Sequence, residues 1–175
     1  LRGRGPAAAG IGHALLFMKL RPQSPYPELQ AGFAPLGMVG SRAGDTSRST
    51  LETAGEHDVT RMELLQRPSV TVYLDVLHPR SRGEIRLRSS KPEDPPMIRH
   101  QMLDHKDDLV DLIAGCRIMQ KIFATNPMRQ YVVGQALPGP QVQTDDEWES
   151  FLRAAGWGAL HPVSTCKMGA DDDDM

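Results

Sequence analysis

The spacing of apolar residues changes period along this chain, and that change limits the folds open to it. Val70, Val72, Leu74 and Val76 recur every second residue, the pattern of a pleated strand that offers one face to a core. Further on, Leu109, Leu112, Ile113, Cys116, Met119, Ile122 and Phe123 recur every three or four residues, which predicts a helix over 106–125 closed by Asn126-Pro127. Strands come first and helices after, with no alternation of strand and helix. The expected class is α+β: an antiparallel sheet with helices packed on one face.

The remaining segments fill in that scheme. Ala14 to Leu20 reads as a short buried strand and Pro27 to Pro35 as a second, with Leu29, Ala31 and Phe33 at a spacing of two. Ile85 and Leu87 alternate with Glu84, Arg86 and Arg88, so residues 69–77 and 84–88 are expected to pair as a hairpin across His78 to Gly83, each strand facing a core. Thr144-Asp145-Asp146-Glu147 has the form of a capping box, opening a short helix that Gly156 should end. Pro138-Gly139-Pro140 is a rigid loop. Gly and Pro make up 30 of the 175 residues, which fits long connections. The longest is residues 36–68, where apolar patterning dissolves and an irregular surface excursion is expected.

With 20 basic and 22 acidic residues interspersed, the charge pattern gives no argument for a nucleic-acid partner. The apolar run Ala14 to Met18 is far too short to span a bilayer, so no membrane segment is expected. Cys116 and Cys166 show neither a disulfide framework nor zinc-ligand spacing, which favours a reducing, cytoplasmic setting. Cys116 belongs to the apolar face of the helix, and Cys166 reads as part of a packed loop. Met97, Met102, Met119 and Met128 read as gap fillers. A chain that begins at Leu1 and ends in Asp171 to Met175 reads as a piece of something longer.

Two segments invite a chemical reading. Gly3-Arg4-Gly5 resembles the start of a dinucleotide loop, but position 8 is Ala and no strand can precede residue 3, so the loop is a turn. His161 precedes Pro162, which forces extended geometry, so His161 should end a short strand with Ala159 pointing to the same side. An imidazole held in a fixed direction can exchange a proton at neutral pH. Read alone, it is better taken as the ordinary cap of a strand end. His78, His100 and His105 lie in or beside loops and receive no role.

The segment His161-Pro162-Val163-Ser164-Thr165-Cys166-Lys167-Met168-Gly169 resembles the HPxGTxxMG signature of the glucose-methanol-choline (GMC) flavoprotein oxidoreductases. Pro79-Arg80-Ser81-Arg82-Gly83, Pro95-Pro96-Met97-Ile98, Asp107-Asp108, Pro138-Gly139-Pro140 and the Thr144 box follow in family order, and Gly3-Arg4-Gly5-Pro6 is similar to the family's entry into this region. The resemblance is to choline-dehydrogenase-like members and implies the substrate-binding part of an FAD-dependent alcohol oxidoreductase. It assigns His161 the catalytic role of taking the hydroxyl proton while hydride passes to flavin, and it places Ala159 and Gly32 beside the small-molecule alcohol. Choline-type members carry a pocket His at the position of Gly32, which argues against choline itself. Ser164 stands where the family usually has Gly, so strain is expected if that position needs positive φ. The family's FAD-binding glycine loop is absent from this stretch, so the chain alone is expected neither to retain FAD nor to turn over alcohols. A non-catalytic remnant that kept the substrate domain is the rival reading.

Overall fold

The computed structural model describes residues 12, 14–39, 63–156, 158, 161, 163, 164 and 169. Its central sheet has three antiparallel strands in the order β1-β2-β5, with β1 at Ala14–Met18, β2 at Leu29–Ala34 and β5 at Thr71–Val76. The register sets Ala31 of β2 opposite Leu16 on one side and Leu74 on the other. Because side chains alternate, Leu29, Ala31, Val72, Leu74, Val76 and Met18 fall on one face. They form the core there with Leu112 and Met119 of α1 (Lys106–Phe123).

Helix α1 can lie close to the sheet because Gly115 faces Leu29: a Cβ at Gly115 would come within 2.6 Å of Leu29 Cδ1, and Leu29 is fully buried. The helix is opened by His105, whose Nδ1 accepts from the Asp107 amide at 3.2 Å. A short α2 at Asn126–Arg129 follows, with Pro127 in its first turn, where a missing N–H costs nothing. α3 (Asp145–Ala155) starts with the expected capping box of Thr144 and Glu147 and gives way at Gly156. It packs on α1 through Trp148, Val142 and Ile113, with Cys116, Phe151 and Leu152 around them. The Trp148 and Phe151 rings meet edge to face at 6.0 Å. Burial pushes the Cys116 thiol up to about 11, in keeping with a core role.

Two expectations need correction. Residues 84–88 do not pair with 69–77: β6 (Glu84–Arg86) pairs with β7 (Met97–Arg99), and β5 takes β2 as its partner. The cause is the Pro79–Gly83 loop, which Asp108 fastens to the start of α1. The buried Asp108 carboxylate accepts from the Arg80 amide at 2.8 Å, the Ser81 amide at 2.9 Å and Ser81 Oγ at 2.6 Å. The chain thus leaves the sheet after β5, and β6 forms its own ladder with β7 instead of lying beside β5. The small β6–β7 hairpin also gives no core face, since Ile85, Leu87 and Ile98 are exposed; Glu84 ties it with ion pairs to Arg86 and Arg99. The second correction concerns layering: α1 covers the sheet, whereas α3 lies mainly against α1. The excursion over 36–68 is flanked by a two-residue ladder of β3 (Met38–Val39) and β4 (Glu63–Leu64); residues 40–62 lie outside the described residues.

A charged clamp secures the β1–β2 connection to the helix. Arg21 donates to Asp111 at 2.5 and 3.2 Å and to Glu28 at 3.4 Å, while Glu28 also accepts from the Leu20 amide at 2.9 Å. No described helix is long and apolar enough to cross a membrane.

Candidate active face

The register that builds the core on one side of the sheet leaves a second face pointing away from α1. Directly opposed residues in antiparallel strands project to the same side. Leu15 opposes Gly32, Phe17 opposes Gln30, Gly32 opposes Tyr73 and Gln30 opposes Asp75, so these six residues share that second face. Leu15 and Phe17 are each 54% exposed, while Tyr73 and Asp75 are half-buried.

His161 acts on this face through its charge. Burial pushes the Asp75 carboxyl above the ordinary aspartate range, and the charge of His161 pulls it part of the way back. An acid and an imidazole from segments far apart in sequence are thus within electrostatic reach, and His161 itself is exposed. A carboxylate there supplies the countercharge for an imidazolium formed by proton uptake. Ser164, three residues on, has φ +66°, so the position does require left-handed backbone, and a serine there carries the strain that a glycine would avoid.

Of the residues singled out in the sequence, Gly32 on β2 and the exposed His161 are described; Ala159 and Cys166 lie outside the described residues. Tyr73 and Asp75 were missed because the polar face of an alternating strand reads as the solvent side. Their signal was present in the spacing: Tyr73 and Asp75 interleave with the apolar positions of β5. His78 stands near the Tyr26 ring at 6.0 Å, and His105 is occupied as a helix cap. Among the described residues no group of three or more His, Cys, Asp or Glu could hold a metal ion. An apolar cleft of about 170 Å³ opens on the helix side, between Leu16, Phe33, Met119 and Phe123, and offers no polar group for chemistry.

The described residues do not fit the phosphate end of a dinucleotide. A pyrophosphate seeks a helix N-terminus with free amides and no competing negative charge. Here α1 opens with His105 capping and Asp107 and Asp108 in its first turn, and α3 opens with its capping box and Asp145, Asp146 and Glu147. Burial aside, the backbone and hydroxyl donors around Asp108 hold its carboxyl below the ordinary range, so that negative charge is permanent near neutrality.

Comparison with known proteins matches residues 79–175 to the model described as GMC oxidoreductase. The "Oxygen-dependent choline dehydrogenase" of Brucella ovis is 41% identical over 96 residues, which is 55% of this chain and 18% of the relative. The protein of the same name from Rhizobium rhizogenes gives the same identity and coverage, and that of Sinorhizobium fredii is 40% identical over 96 residues. The chain therefore spans about a fifth of the length of the curated relatives it matches.

Proposed function

The chain belongs to the GMC oxidoreductase family, and from that premise we propose that it supplies the substrate side of an FAD-dependent oxidation of an alcohol to an aldehyde or ketone. The observation that supports the reading is that the charge of His161 reaches Asp75, on the sheet face turned away from α1. FAD, held by other parts of the protein, supplies the hydride acceptor; the contribution of this chain is to bind the alcohol and handle its proton.

His161 takes the hydroxyl proton. A carbon bearing an alkoxide-like oxygen gives up hydride far more readily, and a positioned imidazole typically contributes about 10²–10⁴-fold to such a step. Asp75 acts through His161, giving the imidazolium a countercharge. Gly32 and Ala159 border the substrate. Choline is not the substrate expected, because the position that carries a pocket His in choline-type members is Gly32 here, with the Tyr73 ring lying over it.

The test is a screen of the protein expressed from its complete reading frame. Purified, flavin-loaded protein is mixed anaerobically with a panel of primary and secondary alcohols, and flavin absorbance is followed. Bleaching by at least one class supports the reading. A flavin that stays oxidised with every alcohol, yet is reduced by dithionite, favours the non-catalytic remnant.

A further inference from the structure

A ring of hydrogen bonds joins the start of α1 to the Pro79–Gly83 loop. The His105 N–H donates to Ser81 Oγ at 3.0 Å, the Ser81 hydroxyl donates to Asp108 Oδ2 at 2.6 Å, and the Asp108 amide donates back to the His105 carbonyl at 3.1 Å. The His105 side chain adds a bond of its own, its Nδ1 accepting from the Asp107 amide at 3.2 Å. That amide belongs to the first turn of the helix, where no carbonyl of the helix itself can receive it. His105 is thus the residue at which helix cap and loop junction meet.

The usual residues at a helix N-cap are serine, threonine, aspartate and asparagine, and each keeps its acceptor oxygen near neutral pH. An imidazole does not. Nδ1 accepts only through its lone pair, and an imidazolium carries N–H on both ring nitrogens. A proton on Nδ1 sets N–H against N–H at the Asp107 amide. It also places a positive charge at the positive end of the helix dipole.

The charged groups around His105 leave that loss in place. Asp108 is within reach of its charge, but both Asp108 oxygens already accept, Oδ1 from the Arg80 amide and Oδ2 from the Ser81 amide and hydroxyl. Asp107 is paired with Arg80, whose guanidinium brings a further positive charge from the loop. Asp104 and Lys106 flank His105 in sequence with opposite signs. His105 is exposed, so protons reach it directly from water.

We propose that His105 makes this junction pH-sensitive: with a neutral imidazole the first turn of α1 is capped and the Pro79–Gly83 loop is held to it, and with an imidazolium the cap is lost and the junction loosens. The segment released is the one that leads the chain away from β5 and out of the central sheet. The device does not depend on the alcohol-oxidation reading, and a protein that oxidised no alcohol would show it equally.

The test is amide hydrogen exchange at Asp107 and Ser81 in the protein expressed from its complete reading frame, with each rate divided by the intrinsic rate at the same pH. It is run at about pH 8 and about pH 5, the two ends of the range in which histidine ordinarily titrates. Wild-type protection at Asp107 should fall by about fivefold from the higher pH to the lower, the fold-change that matches a typical N-cap interaction, and protection at Ser81 should fall with it. His105→Asn keeps a side-chain acceptor that does not titrate there, and its protection should be the same at both pH values. His105→Ala has no side-chain acceptor and should show the low value at both. If His105→Ala does not fold, wild type and His105→Asn carry the test by themselves. Wild-type protection that is equal at the two pH values overturns the inference. An equal fall in His105→Asn assigns the pH effect to another group and overturns it as well. A fall at Asp107 with none at Ser81 confines the effect to the cap and overturns the coupling to the loop.

Discussion

Replacing Asp108 should loosen the junction between the Pro79–Gly83 loop and α1, by an amount that follows from its bonds. The carboxylate is 3% exposed and accepts from two backbone amides and one hydroxyl. Hydrogen bonds to a charged acceptor contribute ~1.5–3 kcal/mol each, and a buried donor left without a partner costs ~1–3 kcal/mol. Arg80 is exposed and Ser81 half-buried, so water recovers part of the loss in a variant. The net cost of Asp108→Ala should be about 3 kcal/mol, and of Asp108→Asn about 2 kcal/mol, since Asn keeps one carbonyl but turns an NH2 toward the donors. Hydrogen exchange at the Arg80 and Ser81 amides reads this locally: about 30-fold faster in Asp108→Asn and about 150-fold in Asp108→Ala, at 1.4 kcal/mol per tenfold. The pH dependence follows the same carboxyl. Its folded pKa lies below the unfolded value of about 3.9, so its stabilisation is complete above that value and is lost as pH falls through the folded pKa. Wild type should lose protection on acidification in that window, and Asp108→Asn should not show that component. Unchanged exchange in both variants would refute the idea that Asp108 holds the loop. The neighbouring Arg80–Asp107 ion pair, about half exposed on both sides, should matter far less.

Ser164→Gly should stabilise the C-terminal segment by about 1 kcal/mol, because φ +66° costs an L-residue ~1–2 kcal/mol that glycine avoids, partly offset by glycine's greater unfolded freedom; denaturant unfolding checks it. Cys116, with its thiol pushed up to about 11, should react with iodoacetamide at pH 8 far more slowly than free cysteine, measured by mass spectrometry of the modified peptide under native conditions. The 175-residue chain expressed alone should purify colourless and show no saturable FAD binding by fluorescence titration, since its two long helices open on acids where a pyrophosphate would sit. Stoichiometric yellow protein would contradict that.

The elements best legible in the sequence were those whose determinants are local. The 3.6-residue period of Leu109 to Phe123 and the Thr144-to-Glu147 capping box both act within a few residues, and the structure places α1 and α3 where they indicate. The apolar run at 14–18 and the alternating runs at 29–34 and 71–76 were likewise legible as strands, but the expected burial of the first was not met: all of β1 except Met18 is exposed, because it is the edge strand of the sheet. Which strand pairs with which was not, because pairing depends on contacts distant in sequence. β5 pairs with β2, and the loop after it is held to α1 by Asp108, through bonds between residues 27 and 28 apart that no spacing rule signals. The candidate site divides in the same way. His161 stood out through its proline neighbour and the family signature. Tyr73 and Asp75 gained meaning only once the sheet register put them beside Gly32 and within reach of His161.

The central claim, that His161 takes the hydroxyl proton, is tested most directly by stopped-flow bleaching of the flavin in the complete protein with an accepted alcohol, wild type against His161→Ala. The variant removes a proton acceptor on the substrate side and no described flavin contact. Flavin should therefore remain bound at wild-type stoichiometry, while the reduction rate falls by about 10²–10⁴-fold. An unchanged reduction rate in a variant that still binds flavin would contradict the assignment.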